Sequence, residues 1–142
     1  MNVKDLLKMS HADLDALFRT LDSGPIPDGP TKGTAIIAAG SAFSDELAGL
    51  VNIFAWQGKV FDAKRGVLRN KILPFGLNAI VATVYKDPSW IDQKECIAID
   101  YSDTSLVAQW IRDEIRLISQ GFYLGKVYWD RKPLIHFALE LS

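Results

Sequence analysis

Residues 111–141 read IRDEIRLISQGFYLGKVYWDRKPLIHFALEL. In the first third, Arg112, Glu114 and Arg116 alternate with Ile111, Ile115 and Leu117, a period of two that puts charge on one face and aliphatic side chains on the other. A tight SQG joint then leads into FYLGKVYW (122–129), and DRKP leads into LIHFALEL (134–141), both rich in the aromatic and β-branched residues that suit strands. Joints this short cannot hold the crossover helix that parallel strands need, so the three segments are expected to run antiparallel. Just upstream, Leu106, Val107, Trp110, Ile111, Ile115 and Ile118 fall near helical spacing, and Asp103 or Thr104 could cap a helix. A turn or short helix over 103–109 followed by a strand from about 110 to 118 is expected, with a helix running through 118 as the alternative.

The same pattern extends towards the N-terminus. WQGKVFD (56–62), VLRNKIL (67–73), NAIVATVYK (78–86) and KECIAIDY (94–101) are short strand-like runs separated by AKRG, PFG and KDPSW. Six or seven such strands in a meander commonly close into a barrel or half-barrel, which hides their edges. Before them, SHADLDALFRTLDSGP has Ser10 and Asp13 at capping-box spacing, Leu14, Leu17, Phe18 and Leu21 at helical spacing, and Gly24 with Pro25 as a stop. The Pro/Gly-rich stretch 24–33 reads as a loop. SAFSDELAGLVNIF (41–54) predicts a second helix, capped by Ser44, with Leu47, Leu50, Val51 and Phe54 on one face. The expected fold is mainly β (α+β) in a single domain over 1–142. Its helical N-terminal part covers 1–54, its antiparallel barrel covers 55–142, and the two helices are available to plug a half-open cup.

Composition limits the function. The chain has 142 residues, 16 basic and 17 acidic side chains and a net charge of −1, so no global field draws it to nucleic acid or an anionic membrane. The lone Cys96 cannot form an intramolecular disulfide, and no Cys/His cluster suggests zinc. Neither a signal-peptide core nor a membrane-length apolar run is present, so a cytoplasmic location without membrane insertion is expected.

FAWQGKVFD (54–62) resembles the signature of the small lipocalin-like, calycin-type families that include a GxWxG-type domain of unknown function. Trp56, Gly58, Lys59 and Phe61 match it, and Phe54 stands where the signature has glycine. The closing segments, IRDEIRLISQGFYLGKVYW and LIHFALEL, are similar to the last strands of such barrels, and the likeness follows the order of elements over about residues 10–142. The resemblance implies a barrel whose cavity takes a hydrophobic molecule, with no catalytic residues to carry over.

Within such a barrel, Gly58 and Gly125 lie in strand interiors, where glycine permits curvature or the close approach of a ligand. The row Arg112, Glu114, Arg116, Lys126, Tyr128, His136 and Glu140 is either a solvated outer face or an interior polar patch that orients a ligand's head group, with its buried charges paired. His136 is the best single candidate for a functional side chain. It titrates near neutral pH and could ligate haem from an apolar barrel, although a lone histidine in a strand commonly serves as a hydrogen-bonded structural residue. His11 is expected to be exposed, and Cys96 to be inert packing. There is no GxSxG, HExxH, P-loop or GxGxxG, so catalysis is not indicated; an acid/base site would have to be built from Asp100, Tyr101, Arg112, Glu114 and His136. The expected function is a binding protein for a hydrophobic small molecule, using Trp56, Phe61, Tyr85, Arg112, Glu114, Tyr128 and His136, with Trp110 and Phe137 as further cavity-filling aromatics, no metal and an unspecified cofactor. The alternatives are an enzyme acting on a lipid-like or polyketide-like substrate in the same cavity, or a structural domain that forms a homodimer.

Overall fold

The computed structural model describes residues 1–36, 59–72, 77–102 and 110–142. Two short helices, α1 (Val3–Leu7) and α2 (His11–Thr20), precede eight strands: β1 (Gly29–Ile36), β2 (Lys59–Asp62), β3 (Val67–Ile72), β4 (Leu77–Pro88), β5 (Glu95–Asp100), β6 (Ile111–Ser119), β7 (Phe122–Trp129) and β8 (Lys132–Leu141). Each strand pairs antiparallel with the next, and β1 closes the barrel by pairing with β8 from Thr31↔Leu141 to Ile36↔His136.

Both helices begin with a reciprocal cap. Ser10 accepts from the Asp13 amide at 3.0 Å while Asp13 accepts from the Ser10 amide, as the sequence suggested. Asn2 and Asp5 repeat the device to start α1, which the sequence reading did not assign although the same three-residue spacing is visible there. The helix expected over 41–54 and the turn expected over 103–109 lie outside the described residues. For 110–118 the strand holds: β6 pairs with both β5 and β7. The apparent helical spacing arose because both faces of β6 are covered, so apolar side chains occur on each.

The Pro/Gly stretch requires a correction. Residues 24–33 are not all loop: β1 starts at Gly29, so the barrel begins well before residue 55. Gly29, at φ +92°, makes the turn, and Pro30 stands at the strand's start, where a missing N–H is tolerated. From Thr31 onward the ladder with β8 is regular.

Two apolar clusters separate the faces of the sheet. Inside the barrel lie Phe61, Leu68, Val84, Ile97, Ile99, Ile111, Ile115, Val127, Ile135 and Phe137, among others. Gly125 faces inward opposite Ile115, and the Phe137 ring occupies the space where a side chain at 125 would begin. Outside, α1 and α2 bury Leu6, Leu14 and Phe18 against Ile36, Cys96, Leu124 and Ala138, and each large side chain so buried contributes about 1.5–3 kcal/mol. Helices α1 and α2 therefore clad the outer wall, so of the two helices expected to plug the cup the first does not do so, and the second, 41–54, lies outside the described residues. One end is instead closed by residues 22–26. Ile26 packs on the inner cluster, Tyr123 donates its hydroxyl to the Pro25 carbonyl at 2.7 Å, and the Leu117 amide donates to Asp22 O at 3.0 Å. Gly24 makes this possible at φ +70°, lying so close to Leu117 that a Cβ would collide with it.

A buried polar belt and an open cleft on the outer wall

Alternation along β6 assigns its side chains cleanly. Ile111, Asp113 and Ile115 face the interior, where the Asp113 carboxylate is fully buried; Arg112, Glu114 and Arg116 face outward. Arg112 is 8% exposed, and Glu114 and Arg116 are fully buried. The row is thus on the outer face, as one of the two sequence readings had it, but it is not solvated. The connection 89–94 folds back across the wall and covers it.

These charges hold that connection in place. Glu114 accepts from the Ser89 hydroxyl at 2.6 Å and the Trp90 amide at 3.0 Å, and Arg112 Nε donates to its second oxygen at 3.0 Å. Arg112 also donates to Asp87 at 2.9 Å and to the Pro88 carbonyl at 3.0 Å. Arg116 grips Asp92 through two N–H groups at 2.7 and 2.8 Å and donates to the carbonyls of Phe18, Lys94 and Glu95, so one guanidinium ties α2, the connection and β5 together. Hydrogen bonds from Arg116 hold the Asp92 carboxyl down at about 2, against the opposing effect of burial. Burial tends to lower both guanidinium pKa values, but their carboxylate partners raise them beyond the ordinary arginine value.

A second cluster fixes α2. Asp15 Oδ1 accepts from Lys126 Nζ at 2.6 Å and from His136 Nε2 at 2.7 Å, and His136 Nδ1 lies 2.8 Å from His11 Nδ1. Burial alone would raise the Asp15 pKa, but these two donors outweigh it and hold the carboxyl below its usual value. Burial drives His136 down to about 4 despite the neighbouring carboxylate, so the ring is neutral at pH 7. A neutral His136 donates from Nε2 to Asp15 and accepts at Nδ1 from His11. Both ring nitrogens are therefore engaged outside the barrel, away from any haem in its interior. His11, expected to be exposed, is half-buried here. Cys96 is packed beneath the helices, where burial pushes its thiol up to about 12 and leaves it inert.

Among the residues expected to bind a ligand, Phe61 faces the barrel interior. Arg112, Glu114, Tyr128 and His136 are brought together on the outer wall, under α2 and the 89–94 connection. Tyr85 is also outward, donating to Asp100 at 2.8 Å, and burial with that carboxylate raises it to about 12. Trp56 lies outside the described residues. Tyr101 is inside while Asp100, Arg112, Glu114 and His136 are outside, so no acid/base set forms around an interior ligand. Among the described residues no three His, Cys, Asp or Glu side chains come together to hold a metal, and no helix is long and apolar enough to cross a membrane.

Above the polar belt is an open cleft of about 490 Å³ lined by Arg19, Trp90, Ile91, Gln93, Lys126, Tyr128, Arg131 and Pro133. Trp90 forms its wall: the Arg112 guanidinium lies 4.6 Å and that of Arg131 5.3 Å from its ring, and Tyr128 meets it edge-on at 5.0 Å. Arg131 reaches this position from a two-residue β7–β8 turn in which Asp130 and Arg131 both have positive φ, of 46° and 68°, as a type I′ turn requires. The sequence reading weighed Lys126 and Tyr128 but passed over Asp15, Trp90 and Arg131. Their neighbours are distant in sequence, so no local spacing marks them.

No protein-family model and no curated protein matches the chain. It is similar to a solved crystal structure of a protein from Thermomonospora curvata, with a TM-score of 0.65 and 19% identity over 95% of this chain and 89% of that one. At that identity the likeness supports the closed barrel and nothing finer.

Proposed function

We propose that the protein is a lipocalin-like carrier that holds a hydrophobic small molecule inside the barrel. The observation that carries this reading is a closed eight-strand barrel with an apolar inner wall, one end of which is covered by residues 22–26. A small barrel closed at one end, with an apolar inner wall, is the usual form of a single-ligand container, entered through its mouth. The wall near Phe61, Leu68, Val84 and Ile99 supplies dispersion contacts to such a ligand. An enzyme that uses His136 with Arg112 and Glu114 on the same ligand is disfavoured, because those side chains lie behind the barrel wall.

A titration with Nile red, a neutral apolar fluorophore, tests the proposal. One saturable site with enhanced emission is expected, lost in Ala82→Phe, which fills space on the inner wall. Emission that never saturates, or that survives the filling substitution in a folded protein, would overturn it.

A further inference from the structure

We propose that the cleft on the outer wall is a second binding site, for a small organic anion carrying an apolar body. Its lining includes three cationic side chains, Arg19, Lys126 and Arg131, and no acidic one. Lys126 is engaged by Asp15, but among the described residues no carboxylate forms an ion pair with Arg19 or Arg131. Arg19 and Arg131 both line this concavity, and each guanidinium carries the planar fork of N–H donors that suits a carboxylate or a phosphate ester. Among the described residues no group hydrogen-bonds the Tyr128 hydroxyl, which lines the cleft as a further donor; burial raises its pKa, so it keeps its proton.

The remaining lining is apolar. Trp90, Ile91 and Pro133 offer a surface for a ring or a short chain, and a volume near 490 Å³ lies within the range of small-molecule sites. The site is built in advance. Glu114 fixes the Trp90 amide, Asp92 is locked by Arg116, and Arg131 is placed over Trp90 by a turn that demands a left-handed conformation from a residue with a side chain. An aromatic wall already fixed at its backbone, with Arg112 and Arg131 stacked on it, spends little ordering entropy on a ligand. The site is separate from the barrel interior, which lies on the other side of β6 and β7.

Phenyl phosphate serves as the probe, followed by amide and indole NMR shifts of the whole protein, with inorganic phosphate in parallel. Saturable shifts are expected at Trp90, Ile91, Gln93 and Lys126. Affinity should fall about tenfold in Arg131→Gly, which removes one charge-assisted contact while leaving a favourable turn sequence. Arg19→Ala should weaken binding in the same direction. Shifts confined to inward-facing residues, or affinity unchanged in both variants, would overturn the proposal. Inorganic phosphate binding as tightly as phenyl phosphate would overturn its apolar half. Nile red carries no charge, so the two sites can fail independently.

Discussion

Replacing Arg116 with methionine should be among the most destabilising single changes on the outer wall. The guanidinium is fully buried and donates five hydrogen bonds: two to Asp92 and one each to Phe18, Lys94 and Glu95 carbonyls. Methionine would fill much of the volume but leave the Asp92 carboxylate, 9% exposed, and three carbonyls without that donor. Breaking a buried ion pair from one side costs about 3–5 kcal/mol, because the remaining charge is desolvated and uncompensated. For a chain of this length that corresponds to a Tm drop on the order of 10–20 °C. Urea unfolding followed by far-UV circular dichroism, with a shared m-value, measures it. Asp92→Ala and the double variant complete a cycle, whose coupling should exceed about 2 kcal/mol because the two side chains act as one unit. A loss below about 1 kcal/mol for Arg116→Met, or additive single effects, would refute the claim that this pair fastens the connection to the wall.

Three further outcomes follow from the same geometry. His136 takes up a proton near pH 6.5 in the unfolded chain but only at about 4 in the fold, so the unfolded state binds more protons between those values. Stability should therefore fall as pH drops from 6.5 to 4, by about 3 kcal/mol, and urea midpoints for His136→Gln should be distinctly flatter across that window. An unchanged slope would contradict the assignment. Asp92 adds a later loss as pH falls from about 4 towards 2, since its folded pKa is depressed. Gly125→Ala should cost about 1–3 kcal/mol, because the new methyl would overlap the buried Phe137 ring, and Phe137→Leu in the same chain should recover part of the loss in thermal melts. Arg131→Gly should raise stability by about 1 kcal/mol by relieving the left-handed backbone; a melt showing destabilisation would mean that the Arg131–Trp90 contact outweighs the strain.

The strands were legible because alternation and short joints are local signals. The segments expected at 67–73, 78–86, 94–101 and 122–129 coincide closely with β3, β4, β5 and β7. β1 was obscured by glycine and proline, which mark a turn in a short window but here occupy only the entrance to a strand whose partners, β2 and β8, are remote in sequence. The candidate site was half legible. Alternation grouped Arg112, Glu114 and Arg116 correctly, yet it offered only solvent or cavity as their surroundings. The third possibility, an outer face roofed by a helix and a folded-back connection, depends on Asp15, Ser89 and Asp92 arriving from elsewhere in the chain. Asp113 was readable as inward from its place between Ile111 and Ile115, but its flanking charges drew attention to the opposite face.

The carrier reading is tested most directly by native mass spectrometry of the full chain purified gently from cells without added lipid or detergent. The account predicts a stoichiometric apolar adduct on the wild-type protein, displaced by Nile red and absent from Ala82→Phe. Wild-type protein with no adduct that also fails to take up Nile red at saturation would contradict it, leaving a barrel filled by its own side chains.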